Sequence, residues 1–211
     1  MILLLISLTG FSYLVYSVFS LQNNQLDIYV FNRIAPHITE TNTRIMLFFT
    51  FLGSREFLMP ANIVLALYFL FPRRSLRWVV AVPVIALGAV AVNLLLKYYF
   101  LRPRPLYPLL QGIGGYSFPS GHSMSALTFY GLLIYIASIN MRSRPLKGLT
   151  ITALAVCILL VGFSRIYFRV HYTTDVLGGF ATGAIWLIIS LWVLNKIEHY
   201  NGKRSTATAQ R

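Results

Sequence analysis

The sequence predicts an all-α membrane protein, a bundle of six hydrophobic spans. Three observations carry that expectation. Hydrophobic residues make up 57% of the 211 residues and charged residues only 11%, against about 25% charged in a soluble domain. Apolar runs recur at the roughly 20-residue length a helix needs to cross a bilayer. The polar residues able to do chemistry fall in short islands between those runs: Lys97 to Pro105, Pro119 to His122, and Ser164 to Asp175.

The net charge of +13 would ordinarily suggest nucleic acid. Here the basic residues lie in short loops between apolar runs, so no nucleic-acid partner is expected. The bilayer itself is the partner. Cys157 is the one cysteine. It excludes an intramolecular disulfide, and its apolar neighbours point to packing.

The spans are read at about 2–21, 45–71, 78–97, 122–140, 149–167 and 175–195. The first has no basic leader and no small-x-small cleavage site, so it is expected to stay as a span rather than leave as a signal peptide. Residues 22–44 mix apolar residues with Asp27, Asn32 and Arg33. They suit a short interfacial helix or an ordinary loop. His37, beside Pro36, is expected to be exposed.

The second span carries Gly53, Ser54, Arg55 and Glu56. Charges at a span are costly, and two readings stay open: a pair at the interface, or a contact to a headgroup. Pro60 falls near that end, where a kink is tolerated. The second loop holds Arg73, Arg74 and Arg77, with Trp78 expected at the interface.

Residues 97–120 are rich in proline and glycine, so they cannot form a long helix. They suit a rim over a pocket. In the last span, Gly179 and Gly183 have the small-xxx-small spacing of close helix packing. One membrane domain is expected over 1–198 and a polar tail over 199–211. His199 in that tail is expected to be solvated.

Parity then places the islands. One closes the third span, one opens the fourth, and one joins the fifth to the sixth, so all share a membrane face. The opposite face receives Arg73, Arg74, Arg77, Arg142, Arg144, Lys147, Lys196, Lys203, Arg204 and Arg211. The island face receives Arg33, Arg44, Arg55, Lys97, Arg102, Arg104, Arg165 and Arg169. By the positive-inside rule the islands face the extracytoplasmic side.

The islands carry the groups that hold a phosphate and cleave its ester. Lys97, Arg104 and Arg165 supply charge, the arginines through a planar fork matched to phosphate oxygens. Each alone could be a snorkelling residue at the headgroups; together beside two histidines they make a site. Ser120 and Gly121 follow Pro119 and open an apolar run, where free helix amides favour an anion. Gly121 lets backbone approach an oxyanion closely.

His171 and Asp175 are spaced i, i+4. On one helical turn the carboxylate fixes the imidazole tautomer and frees the other nitrogen to attack. His122 has no acidic neighbour in sequence and suits a general acid. Metal binding is the competing use, but there is no HExxH or HxH spacing, and the chain has only five acidic residues.

Lys97-x6-Arg104-Pro105, Pro119-Ser120-Gly121-His122 and Ser164-Arg165-x5-His171-x3-Asp175 resemble the three-part signature of the type 2 phosphatidic acid phosphatase superfamily, without departure at any specified position. The resemblance covers 97–175 directly, and the six-span layout extends it. It implies an integral-membrane lipid phosphatase, with His171 as nucleophile, Asp175 orienting it and His122 protonating the leaving group. It places the phosphoryl oxygens on Lys97, Arg104, Arg165 and the Ser120–Gly121 backbone, with support from Ser164, Pro105 and Pro119. It implies no metal and no cofactor.

The expected substrate is a phosphomonoester or diphosphate of a membrane lipid: phosphatidylglycerol phosphate, undecaprenyl diphosphate or phosphatidic acid. The small size and short loops suggest a bacterial inner membrane. The alternatives are a lipid-phosphate transporter without hydrolysis and a vanadate-dependent haloperoxidase-like enzyme.

Overall fold

The computed structural model describes residues 1–71 and 76–209, with side chains as far as Tyr200. Among these residues there is helix and no strand. Helix α1 (Ile2–Val15) runs on through a π-helical turn, Tyr16–Ser20. After it come α2 (Gln25–Ile34), a 3-10 turn (Ala35–His37), α3 (Glu40–Leu52), α4 (Arg55–Leu70), α5 (Leu76–Phe100), α6 (Gly121–Asn140), α7 (Arg144–Tyr167) and α8 (Thr173–Ala209).

Among the described residues, five stretches are long and apolar enough to cross a membrane: Ile2–Ser20, Leu76–Phe100, Gly121–Asn140, Arg144–Tyr167 and Thr173–Tyr200. The protein is integral to the membrane. At about 1.5 Å per residue, α5 is longer than a hydrocarbon core of about 30 Å. The helix α1 buries no side chain, as suits a segment apolar all round in lipid.

The expected span at 45–71 is not one helix. It is divided between α3 and α4. Gly53 closes α3, and Ser54 caps α4 by accepting the Phe57 N–H at 3.3 Å. A Cβ at Gly53 would collide with the Val161 side chain, so the break lets the chain turn tightly against α7. Composition reads as continuous there because Gly and Ser barely interrupt an apolar average.

The stretch read as loop or interfacial helix holds α2, with Asp27 and Ile34 buried. Trp78 is buried, stacked on Phe69 with 5.7 Å between ring centroids. Residues 101–120 form no helix. The boundary expected at 198 falls inside α8. Pro72, Arg73, Arg74 and Arg211, and the side chains of Lys203 and Arg204, lie outside the described residues. His37 and His199 are exposed.

Helix α6 forms the centre and packs against α7 and α8, while α1 lies on α8, α3 on α7 and α4 on α5. Gly179 and Gly183 sit where α8 meets α6. A Cβ on them would approach the backbone oxygens of Ser120 and Met124 to 2.5 and 2.9 Å. The core divides into three clusters, around Phe168 and Val170, around Trp78 and Val82, and around Ala126 and Val161. Cys157 packs at the edge of the last. This packing fixes the end of the bundle at which α5 and α7 finish and α6 and α8 begin.

Candidate active site

The three islands meet at that end. Sequence spacing suggests that His171 and Asp175 share a helical turn, but α8 begins at Thr173. His171 lies in the α7–α8 turn, which Arg169 enters with φ of 53°. Its N–H donates to the Arg165 carbonyl at 3.3 Å. The expected contact forms nonetheless, with His171 Nδ1 3.5 Å from Asp175 Oδ2. His171 Nε2 lies 3.3 Å from Arg104 Nη1.

Both residues are buried, at 2% and 0% exposure. Burial pushes the His171 imidazole down to about 4, with Asp175 opposing the shift. The neutral ring therefore prevails at physiological pH. With Nδ1 directed at the carboxylate, Nε2 carries the lone pair, and that lone pair faces the Arg104 guanidinium.

Asp175 is held on both oxygens. Oδ2 accepts from Ser117 Oγ and from the Tyr172 N–H at 2.8 Å. Oδ1 accepts from Arg102 Nη1 at 2.6 Å. These donors, with His171 Nδ1 beside them, satisfy a carboxylate that would otherwise be an uncompensated buried charge.

Arg104 is anchored through Nε to the Gly114 and Gly115 carbonyls, at 3.1 and 3.0 Å, and through Nη1 to the Val170 carbonyl at 2.7 Å. Burial pushes its guanidinium below the ordinary arginine range, with Asp175 opposing. Lys97 Nζ donates to the Tyr116 carbonyl at 2.5 Å. Arg165 donates through Nη1 to Thr50 Oγ1, while its Nε is buried with no partner. An unmet buried guanidinium N–H is unusual, and a phosphoryl oxygen would satisfy it.

Ser120 caps α6, its Oγ accepting from the Ser123 N–H at 3.4 Å. Its own N–H donates to the Asp175 carbonyl at 2.9 Å. The next amides, on Gly121 and His122, lie in a first helical turn, where no intrahelical acceptor exists. His122 is within electrostatic reach of Arg165, His171, Arg104 and Lys97.

The supporting residues divide. Ser164 Oγ donates to the Val161 carbonyl of its own helix at 2.6 Å, so it is spent locally. Pro119 follows a cis peptide bond, and its carbonyl accepts from Asn93 Nδ2 at 3.2 Å. Pro105 is buried in the rim. Arg55 and Glu56 are exposed in the first turn of α4. Among the described residues, no three His, Cys, Asp or Glu side chains are grouped to hold a metal ion.

Sequence reasoning missed Ser117, Asn93, Thr50 and the part played by Arg102. Asn93 and Thr50 are polar residues inside apolar helices, and that is the signal by which they could have been found. Ser117 and Arg102 lie in the rim loop and carry no periodic signal.

Neutral imidazole, oriented carboxylate, second histidine and converging cations at the end of a membrane bundle define a class: an integral-membrane enzyme of phosphoryl transfer. The sequence profile of the PAP2 superfamily matches residues 78–198, and the chain belongs to that family. It is 33% identical over 171 residues to phosphatidylglycerophosphatase B of Bacillus subtilis (strain 168), covering 80% of this chain and 81% of that one. It is 28% identical over 130 residues to undecaprenyl-diphosphatase BcrC of the same organism, 59% of this chain and 62% of that one.

In structure it resembles the PAP2-type phosphatidylglycerolphosphate phosphatase of Bacillus subtilis. The TM-score is 0.83 at 26% identity, over 93% of this chain and 98% of that one. Aquifex aeolicus LpxE follows, with a TM-score of 0.60 at 27% identity over 78% and 93%. The protein is a membrane lipid phosphatase.

Proposed function

We propose that the chain hydrolyses the terminal phosphate of phosphatidylglycerol phosphate on the extracytoplasmic face of a bacterial inner membrane, through a phosphohistidine at His171. The observation that carries the mechanism is the His171 geometry. Asp175 engages Nδ1, and Nε2 lies beside Arg104 with Lys97 within electrostatic reach of the ring.

In the first step Nε2 attacks phosphorus and the P–O ester bond breaks. The leaving alkoxide takes a proton from His122. In the second step water attacks phosphorus, His122 takes its proton, and the P–N bond breaks to release inorganic phosphate. Phosphoryl transfer spreads charge over three equatorial oxygens. Lys97, Arg104, Arg165 and the amides of Gly121 and His122 stabilise that charge, as fixed dipoles and cations do in a water-poor site. No metal ion is assigned a part in this reading.

The choice of substrate rests on phosphatidylglycerophosphatase B and the phosphatidylglycerolphosphate phosphatase structure, two similar proteins named for phosphatidylglycerol phosphate. Undecaprenyl diphosphate is the second reading, supported by the BcrC likeness.

We also assign six crossings within a catalytic unit of residues 1–198. Asp27 of α2 bonds to Arg102, just beyond the end of α5. The chain must therefore return across the membrane between α2 and the start of α5. Helix α3 stays near the site, through Thr50 to Arg165 and Thr43 to Tyr167. This leaves α4, of 16 residues and about 24 Å, as the sixth crossing. The basic loops opposite the site support the orientation.

Phosphate release from phosphatidylglycerol phosphate, undecaprenyl diphosphate and phosphatidic acid, by protein in nanodiscs with EDTA, tests the reading. Activity is expected without added metal and highest on the first substrate. Vanadate is expected to inhibit, and Arg165→Lys to weaken both turnover and inhibition, because a point charge cannot replace the fork. Loss of activity in EDTA that magnesium or zinc restores would overturn the mechanism.

A further inference from the structure

Asp27 is one of five acidic residues in the chain and is 1% exposed. It sits in α2, far in sequence from the islands. Its carboxylate accepts from the Thr174 N–H at 2.9 Å, from Thr174 Oγ1, and from Arg102 Nη2 at 2.9 Å. The Thr174 amide belongs to the first turn of α8 and has no acceptor in its own helix. Asp27 therefore caps, from another element, the helix that carries Asp175.

Arg102 joins the two carboxylates. Nη2 goes to Asp27, and Nη1 goes to Asp175 Oδ1 at 2.6 Å and to Thr174 Oγ1 at 2.7 Å. The guanidinium lies over the Tyr172 ring, 4.2 Å from its centroid, and its side chain is 10% exposed. Leu101, at φ 49°, turns the chain out of α5 just before it. With Arg102 on Oδ1, the other oxygen of Asp175 is the one left to face His171 Nδ1.

We propose that Arg102, anchored by Asp27, is a positioning residue for phosphoryl transfer. It fixes the rotation of the Asp175 carboxylate, and through it the ring of His171. It touches neither phosphate nor the reacting nitrogen. The pair also ties α2, at the outer end of the bundle, to the catalytic turn. This inference rests on the reading of His171 as nucleophile.

The test is kcat and KM for phosphatidylglycerol phosphate in nanodiscs, with thermal unfolding measured alongside. Arg102→Gln, Arg102→Lys and Asp27→Asn are made singly and in an Asp175→Asn background. A reacting group displaced by about 1 Å costs about 10²-fold. Arg102→Gln is therefore expected to lower kcat about 10- to 100-fold, with KM within about twofold. Arg102→Lys is expected to recover part of that loss, and Asp27→Asn to lower kcat less. In the Asp175→Asn background Arg102→Gln is expected to cost less than about twofold, since the carboxylate it orients is gone.

Unchanged kcat, a loss confined to KM, or the same fold-loss in both backgrounds would overturn the proposal. If Arg102→Gln does not fold, the near-isosteric Asp27→Asn and the charge-keeping Arg102→Lys give the same comparison. His171→Ala is run in parallel. Residual turnover there would overturn the nucleophile reading, a result distinct from any pattern at Arg102.

Discussion

Gly179→Ala tests whether α8 sets the position of the phosphate-binding turn. The added Cβ would lie 2.5 Å from the Ser120 carbonyl oxygen and 2.9 Å from Ser123 Cβ, where ordinary contact begins at 3.4 Å. The start of α6 must then retreat by about 0.9 Å, the difference between 3.4 and 2.5 Å. Ser120, Gly121 and His122 move with it. A displacement near 1 Å at a reacting group costs about 10²-fold in rate, and overpacking costs about 1–3 kcal/mol of stability. The expected result is a fall in kcat of about 100-fold in a protein that still folds.

Gly183→Ala, whose Cβ meets the Met124 carbonyl at 2.9 Å, opens the same interface by less and one turn further from the site. It is expected to give an intermediate loss. Gly148→Ala meets nothing within 4 Å and is expected to be silent. The assay is phosphate release in nanodiscs with unfolding midpoints for all three variants. Full activity in folded Gly179→Ala would refute the dependence of the turn on this contact.

Three further outcomes follow from the site and the topology. Nitrogen-15 histidine spectra should show His171 neutral from about pH 8 down to about pH 5, because burial favours the uncharged ring; titration near 6.5 would contradict that. By the same sign, the unfolded chain takes up this proton first, so stability should fall as pH drops from about 6.5 towards 4. In a Cys157→Ala background, a cysteine at Leu109 should react with an impermeant thiol reagent on intact cells and one at Ser143 should not. The reverse pattern would turn the protein over in the membrane.

The spans and islands were legible because both rest on local composition. A run of about 20 apolar residues needs no partner to be read, and Lys97, Arg104, His122, Arg165, His171 and Asp175 stand out against an apolar background. The break at Gly53–Ser54 was not legible, because hydropathy averages across a two-residue turn that only packing against Val161 explains. The helical turn expected for His171 and Asp175 gave the right contact from the wrong backbone. The contact survives although His171 precedes α8. Ser117, Asn93 and the Asp27–Arg102 pair escaped because their partners lie 26 to 75 residues away in sequence, and spacing rules reach only a turn or two.

The mechanism requires a covalent phosphoryl intermediate on His171, and that intermediate can be trapped. Wild-type protein mixed with lipid phosphate carrying phosphorus-32, quenched in alkali within the first turnover and digested, should carry label on the peptide containing His171. The label should be acid-labile, as a P–N bond is, and absent from His171→Ala. Turnover with no labelled histidine, accompanied by inversion of configuration at phosphorus, would mean that water attacks the substrate directly, and His171 would lose its role as nucleophile.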